Sequence, residues 1–123
     1  MAVEALVKGA WIVLAAIHVF PAAVLVAPEL TTRLYGVEAD GPAGLLLVHR
    51  GALFLAVVAA ALFAAFDPAA RRACSVVVGI SVLGFLAVYV RAGLPAGALR
   101  PIAVADTAAL LPLALAAMSA WRR

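Results

Sequence analysis

Residues 44–66 read GLLLVHRGALFLAVVAAALFAAF, an apolar run broken only by His49 and Arg50. A helix rises about 1.5 Å per residue and needs about 20 apolar residues to cross roughly 30 Å of hydrocarbon. The run is long enough. Its second half carries no polar face, which a helix in a water-soluble bundle needs. Three further runs, 9–27, 73–90 and 102–121, have the same character. The expected fold is therefore all-α: an integral-membrane four-helix bundle. A single transmembrane domain spans 1–123, with helices at about 5–27, 44–66, 73–92 and 101–121.

Composition agrees. The chain is 68% hydrophobic and 12% charged, with mean hydropathy +1.21, whereas soluble domains carry about 25% charged residues. The net charge of +3 is no signal for nucleic acid, because the basic residues cluster at span ends and meet anionic headgroups there. Membrane lipids are the expected partners. The first run is longer than the apolar core of a secretory signal and no A-x-A site follows it, so it reads as a retained helix. Cys74 is the only cysteine, which leaves no disulfide within one chain and suits a small packing residue.

Four spans put both termini and the second connection on one side. That side carries Lys8, Arg71, Arg72, Arg122 and Arg123; the other carries Arg33, Arg91 and Arg100. Counting Lys and Arg places both termini in the cytoplasm, and the membrane is read as the bacterial cytoplasmic membrane. Asp67-Pro68 marks a capped turn into the third span. In the longer first connection, residues 28–35 suit a short helix ended by Gly36, lying in the interface; an irregular loop is the alternative. Ala52, Ala56, Ala60 and Ala64 form a strip for close helix approach, as do Ser75 and Gly79. Pro21 and Pro112 interrupt the first and last spans.

A charge deep in a span is costly, so each one needs a reason. Arg50 and Asp106 both lie roughly 8–9 Å into spans that begin on the outer side. Opposite charge at matching depth makes them a candidate buried pair or the polar part of a pocket, with Arg91 and Arg100 as competing partners for Asp106. His49 falls on the face of the alanine strip and should meet a neighbouring helix. His18 lies deeper, one turn before Pro21. Two histidines on different spans raise axial haem ligation; His18 is about five residues too deep to oppose His49 unless one turn of slippage or a tilt aligns them, so no cofactor is expected and a haem-binding subunit through His18 and His49 is a lesser alternative. No Cys, His and carboxylate cluster suggests a metal.

The order Leu34-Tyr35-Gly36-Val37, then Val48-His49-Arg50-Gly51, then Asp106 early in the fourth span resembles small bacterial DoxX-like four-helix membrane proteins. It is similar also to a related group with a His-Arg pair in the second helix. The likeness covers nearly the whole chain in layout, through short motifs. It implies a four-helix fold, association with quinone- or redox-linked membrane complexes, and accessory roles. It carries His49, Arg50 and Asp106 over as the positions of interest. A small dimeric transporter using Asp106 is a weaker likeness.

The expected function is an outer-side polar pocket lined by His49, Arg50 and Asp106, joined by His18 and Arg91. It would hold a lipophilic small molecule, or the chain would act as an accessory subunit or homo-oligomer in a membrane assembly. The rival is a membrane enzyme using His49 or Asp106 as base and Arg50 as electrostatic partner on a lipid-like substrate.

Overall fold

The computed structural model describes residues 1–122. In chain order its helices are α1 (Ala2–Ala23), α2 (Leu30–Tyr35), α3 (Gly41–Phe66), α4 (Arg71–Arg91) and α5 (Arg100–Trp121), with one 3-10 turn, Pro68–Ala70, leading into α4. The four long helices are each long and apolar enough to cross a membrane, and no strand occurs among the described residues. They form a closed ring in the order α1, α3, α4, α5, with α5 returning to α1. The α1–α3 seam is the most extensive of the four and the α3–α4 seam the sparsest. Side chains such as Phe63, Ile80, Leu83, Val104 and Leu111 point outward and exposed. Water would penalise such a surface; lipid does not, which is the form of a multi-pass membrane bundle.

The helix ends differ from the apolar runs for local reasons. α3 begins at Gly41, three residues before the run, because Pro42 sits in its first turn, where a missing N–H costs nothing. α1 ends at Ala23, four residues short of the expected end at 27. Beyond it Leu25 and Val26 donate to Ala22 and Ala23 as turn bonds, and Pro28 disfavours helical geometry in the residue before it. The short helix expected in the first connection is present as α2. Gly36 closes it at φ 69°, its N–H donating to Thr32 O while Val37 N–H donates to Thr31 O. That paired closure satisfies two orphan carbonyls and needs a residue tolerant of positive φ.

An apolar core fills the middle and the end of the bundle that bears the termini. Trp11 and Leu14 of α1, Ala61 and Ala64 of α3, Val78 and Val82 of α4, and Ala109 and Ala116 of α5 meet there, all fully buried. The buried strip on α3 is Gly44, Gly51, Val57, Ala61, Ala64 and Ala65. This corrects the four-residue alanine repeat: Ala56 is exposed and Ala52 and Ala60 only half-buried. A strict repeat of four drifts around a helix of 3.6 residues per turn, whereas the observed strip averages closer to that period.

The same end is tied by polar contacts that the sequence left as topology charges. Arg71 is buried; its Nη1 and Nη2 donate to the two carboxylate oxygens of Glu4 at 3.0 and 2.6 Å, and its Nε donates to Ala64 O at 2.8 Å. One guanidinium thus joins the start of α1 to an orphan carbonyl at the end of α3. Asp67 accepts from Ala69 N–H and so caps the 3-10 turn Pro68–Ala70 that leads into α4, while α4 itself starts at Arg71 without a side-chain cap. Arg72 Nε donates to Ala120 O, and Trp121 Nε1 donates to Ser75 Oγ. These bonds hold the C-terminus of α5 against the start of α4.

Candidate functional site

The opposite end of the bundle, under α2, holds the polar cavity. It measures about 170 Å³. α1 supplies Ile17, His18 and Pro21; α2 supplies Leu34 and Tyr35; α3 supplies Arg50 and Phe54; α5 supplies Pro101, Ile102, Ala105 and Asp106. His18 and Asp106 are 2% and 9% exposed, values that place both ionisable groups inside the protein and not toward lipid.

Arg50 and Asp106 share this cavity, but they do not form the expected contact pair. Among the described residues the single salt bridge is Arg71–Glu4, and no N···O approach of 4.0 Å or less joins Arg50 to Asp106. Arg50 lies instead among aromatic faces, its guanidinium carbon 4.7 Å from the Phe54 ring centre, 5.6 Å from Tyr35 and 5.9 Å from Phe85. Ring quadrupoles hold the cation there without using its N–H groups. Phe54 is four residues after Arg50 on α3, so helical spacing stacks the two on one face. Tyr35 arrives from α2, set by the Gly36 closure. Burial pushes the Tyr35 phenol above its ordinary value of 10.0, against the smaller opposing pull of Arg50.

His18 has a defined tautomer. Its Nδ1 lies 2.8 Å from Leu14 O, four residues back on α1. A carbonyl only accepts, so Nδ1 carries the proton, and in the neutral ring Nε2 presents a lone pair. Ser81 Oγ of α4 stands 3.5 Å from that Nε2, a long contact. The imidazole also leans on Phe54, ring centres 5.8 Å apart.

Gly51 sets the packing beside Arg50. A Cβ added there would stand 2.8 Å from the backbone nitrogen of Leu25, closer than packed carbon atoms approach. Only glycine lets the turn after α1 press against α3 at that level. In His49-Arg50-Gly51 the three side chains thus part ways: Arg50 faces the cavity, Gly51 the α1 turn, and His49 the exterior.

His49 is exposed and does not line the cavity, which corrects its placement against a neighbouring helix. It lies one residue, about 100° of helix, from Arg50 and two residues, about 200°, from Gly51. Arg91 is likewise exposed and outside the cavity. The two histidines share no cavity, and about 170 Å³ is roughly what holds one benzene-sized guest. No group of three or more Cys, His, Asp and Glu side chains is placed to hold a metal among the described residues. Measured from the helix ends, His18 lies roughly 7–8 Å from the end of α1 and His49 roughly 12 Å from the start of α3, so His18 is not the deeper of the two; Asp106 lies roughly 9 Å from the start of α5.

No match emerges when the chain is compared with protein-family models, curated proteins and solved structures. The likeness to DoxX-like proteins therefore rests on motif order and layout alone. Phe54, Phe85 and Ser81 complete the site without having been singled out by sequence, and Tyr35 joins them, noted in the sequence only as part of a motif and not as a site residue. Phe54 was findable from its spacing to Arg50; Tyr35, Phe85 and Ser81 reach the site only through helix packing.

Proposed function

We propose that this chain is a membrane binding protein whose cavity receives the polar part of a lipophilic small molecule. One observation carries the reading. Arg50, Asp106 and His18 line one cavity, yet neither Arg50 nor Asp106 has a hydrogen-bond partner among the described residues. Charged groups within a span normally pair with one another or mark a substrate or ion path. Among the described residues the one ion pair, Glu4 with Arg71, lies at the other end.

The preponderance of Lys and Arg near the termini supports placing both termini in the cytoplasm and the cavity on the outer side. The likeness to DoxX-like proteins supports a bacterial cytoplasmic membrane and an accessory place in a larger assembly. A second reading is acid–base chemistry on the bound molecule. It is favoured by His18, whose Nδ1 is committed to Leu14 and whose Nε2 remains the available base. His49, being exposed, has no part in it.

The test is native mass spectrometry of gently extracted protein, wild type against a double variant, Arg50→Leu with Asp106→Asn. Wild type should carry a stoichiometric small-molecule mass that the double variant loses. A bare oligomer, or a second protein chain with no small molecule, refutes the binding reading in favour of an assembly role.

A further inference from the structure

The polar cavity does not stand alone. Arg50 and Phe54 also line a groove of about 510 Å³ between α3 and α4, open to the outside of the bundle and otherwise apolar apart from Ser81. The groove follows α4 from Val88, near the cavity, to Val77. Eleven residues of helix span roughly 16 Å, about half of the 30 Å hydrocarbon thickness and so one leaflet. A molecule whose head fills the cavity can lay a single long chain down this groove, running the way a leaflet lipid runs. It lies on the sparsest helix seam in the ring.

The cavity also selects the head. Its volume of about 170 Å³ admits a head of roughly six heavy atoms. Arg50 offers N–H donors and asks for an acceptor. His18 Nε2 and the Asp106 carboxylate ask for donors. A head with an acceptor on one edge and a hydroxyl or amide donor on the other satisfies all three. An anionic head would confront Asp106, and a cationic head would confront Arg50; buried like charges repel, and each costs affinity.

We propose, on the strength of the binding reading above, that the ligand is a single-chain amphiphile with a small uncharged head bearing both acceptor and donor, entering laterally from lipid between α3 and α4. Arg50 and Phe54, shared by cavity and groove, form the threshold the head crosses. Arg50 is held there by aromatic faces alone, so its N–H groups are free to meet the head.

Three probes of equal chain length separate the head classes: 1-monooleoylglycerol, oleate and oleylamine, titrated onto the full chain in nanodiscs and read by native mass spectrometry. The expected result is one 1-monooleoylglycerol per chain, bound at least about tenfold more tightly than either charged probe. Arg50→Leu should weaken it about tenfold or more by removing charge-assisted bonds. Gly84→Phe tests the groove apart from the cavity. Gly84 lines the groove, is exposed, and has open space where a Cβ would stand, so the added ring fills the groove without disturbing the core. It should also weaken the probe about tenfold while far-UV circular dichroism stays unchanged. Unchanged affinity in Gly84→Phe overturns the lateral route. Preference for oleate or oleylamine, or a co-purified ligand that is charged or lacks a long chain, overturns the head class and leaves the cavity reading standing. If no probe binds and nothing co-purifies, both fall.

Discussion

Substituting alanine for glycine at two helical positions should move stability in opposite directions. At Gly51 the new methyl carbon would lie 2.8 Å from Leu25 N and 3.4 Å from its Cα and Cβ. Comfortable separations are about 3.5–4.0 Å, so backbone must yield by roughly 0.7–1.2 Å. No flexible side-chain end is available to absorb the shift at the nitrogen. Such overpacking costs about 1–3 kcal/mol, and the gain in helix propensity returns about 1 kcal/mol. The net loss for Gly51→Ala is about 1 kcal/mol. At Gly79 a Cβ meets nothing within 4 Å, so Gly79→Ala keeps the propensity gain of about 1 kcal/mol. The difference between the variants is about 2 kcal/mol. Reversible unfolding in mixed micelles with increasing SDS, followed by far-UV circular dichroism, measures both on one scale. Equal stability, or Gly51→Ala the more stable, would refute the close approach of α3 to the turn after α1.

Arg71→Met should destabilise the bundle more than Arg72→Met, because Arg71 is buried and binds both Glu4 and the Ala64 carbonyl; Arg71→Lys should rescue little, as an ammonium cannot make the forked contact. The same SDS titration checks this ranking. Gly36→Ala places a side chain at φ 69° and should cost about 1–2 kcal/mol, with ligand affinity falling alongside as Tyr35 loses its anchor. In a Tyr89→Phe background, the ultraviolet phenolate titration of Tyr35 should have a midpoint above 10.0. The folded state then holds the proton more tightly than the unfolded state, so this group's contribution is constant below about pH 10 and declines as pH rises past it. A midpoint at or below 10.0 would contradict its burial. His49→Ala should leave both fold and ligand mass unchanged; loss of the ligand would return His49 to the site.

Arg50 and Asp106 were legible as a pair of interest because a charge within an apolar run demands an explanation. What they do with one another was not legible. Equal depth is a one-dimensional statement, and Arg50 answers its burial with three aromatic rings from α2, α3 and α4 in place of Asp106. His49 shows the same limit. Its face was judged from Ala52, Ala56 and Ala60, yet the buried strip runs through Gly44, Gly51 and Ala61. In lipid, inward and outward faces are both apolar, so hydrophobic periodicity does not tell them apart; small-residue spacing is the remaining guide, and an alanine-rich helix offers several such lines. Arg71 was read only as a topology charge, because its partnership with Glu4 joins residues 67 positions apart.

The sequence by itself determined the number of spans, the all-helical class, the turn at Asp67 and Gly36 as the place where a short helix would end. Each follows from forces that act within one segment: the cost of unpaired backbone in hydrocarbon, the length of an apolar run, the φ of glycine and proline. The tertiary structure alone decided which side chains meet. It set the ring order of the helices, turned His49 and Arg91 outward, separated Arg50 from Asp106 across a shared cavity, and left the α3–α4 seam open beside them. Those outcomes depend on how closely backbones approach, as at Gly51 against Leu25, and close approach is a property of two segments at once.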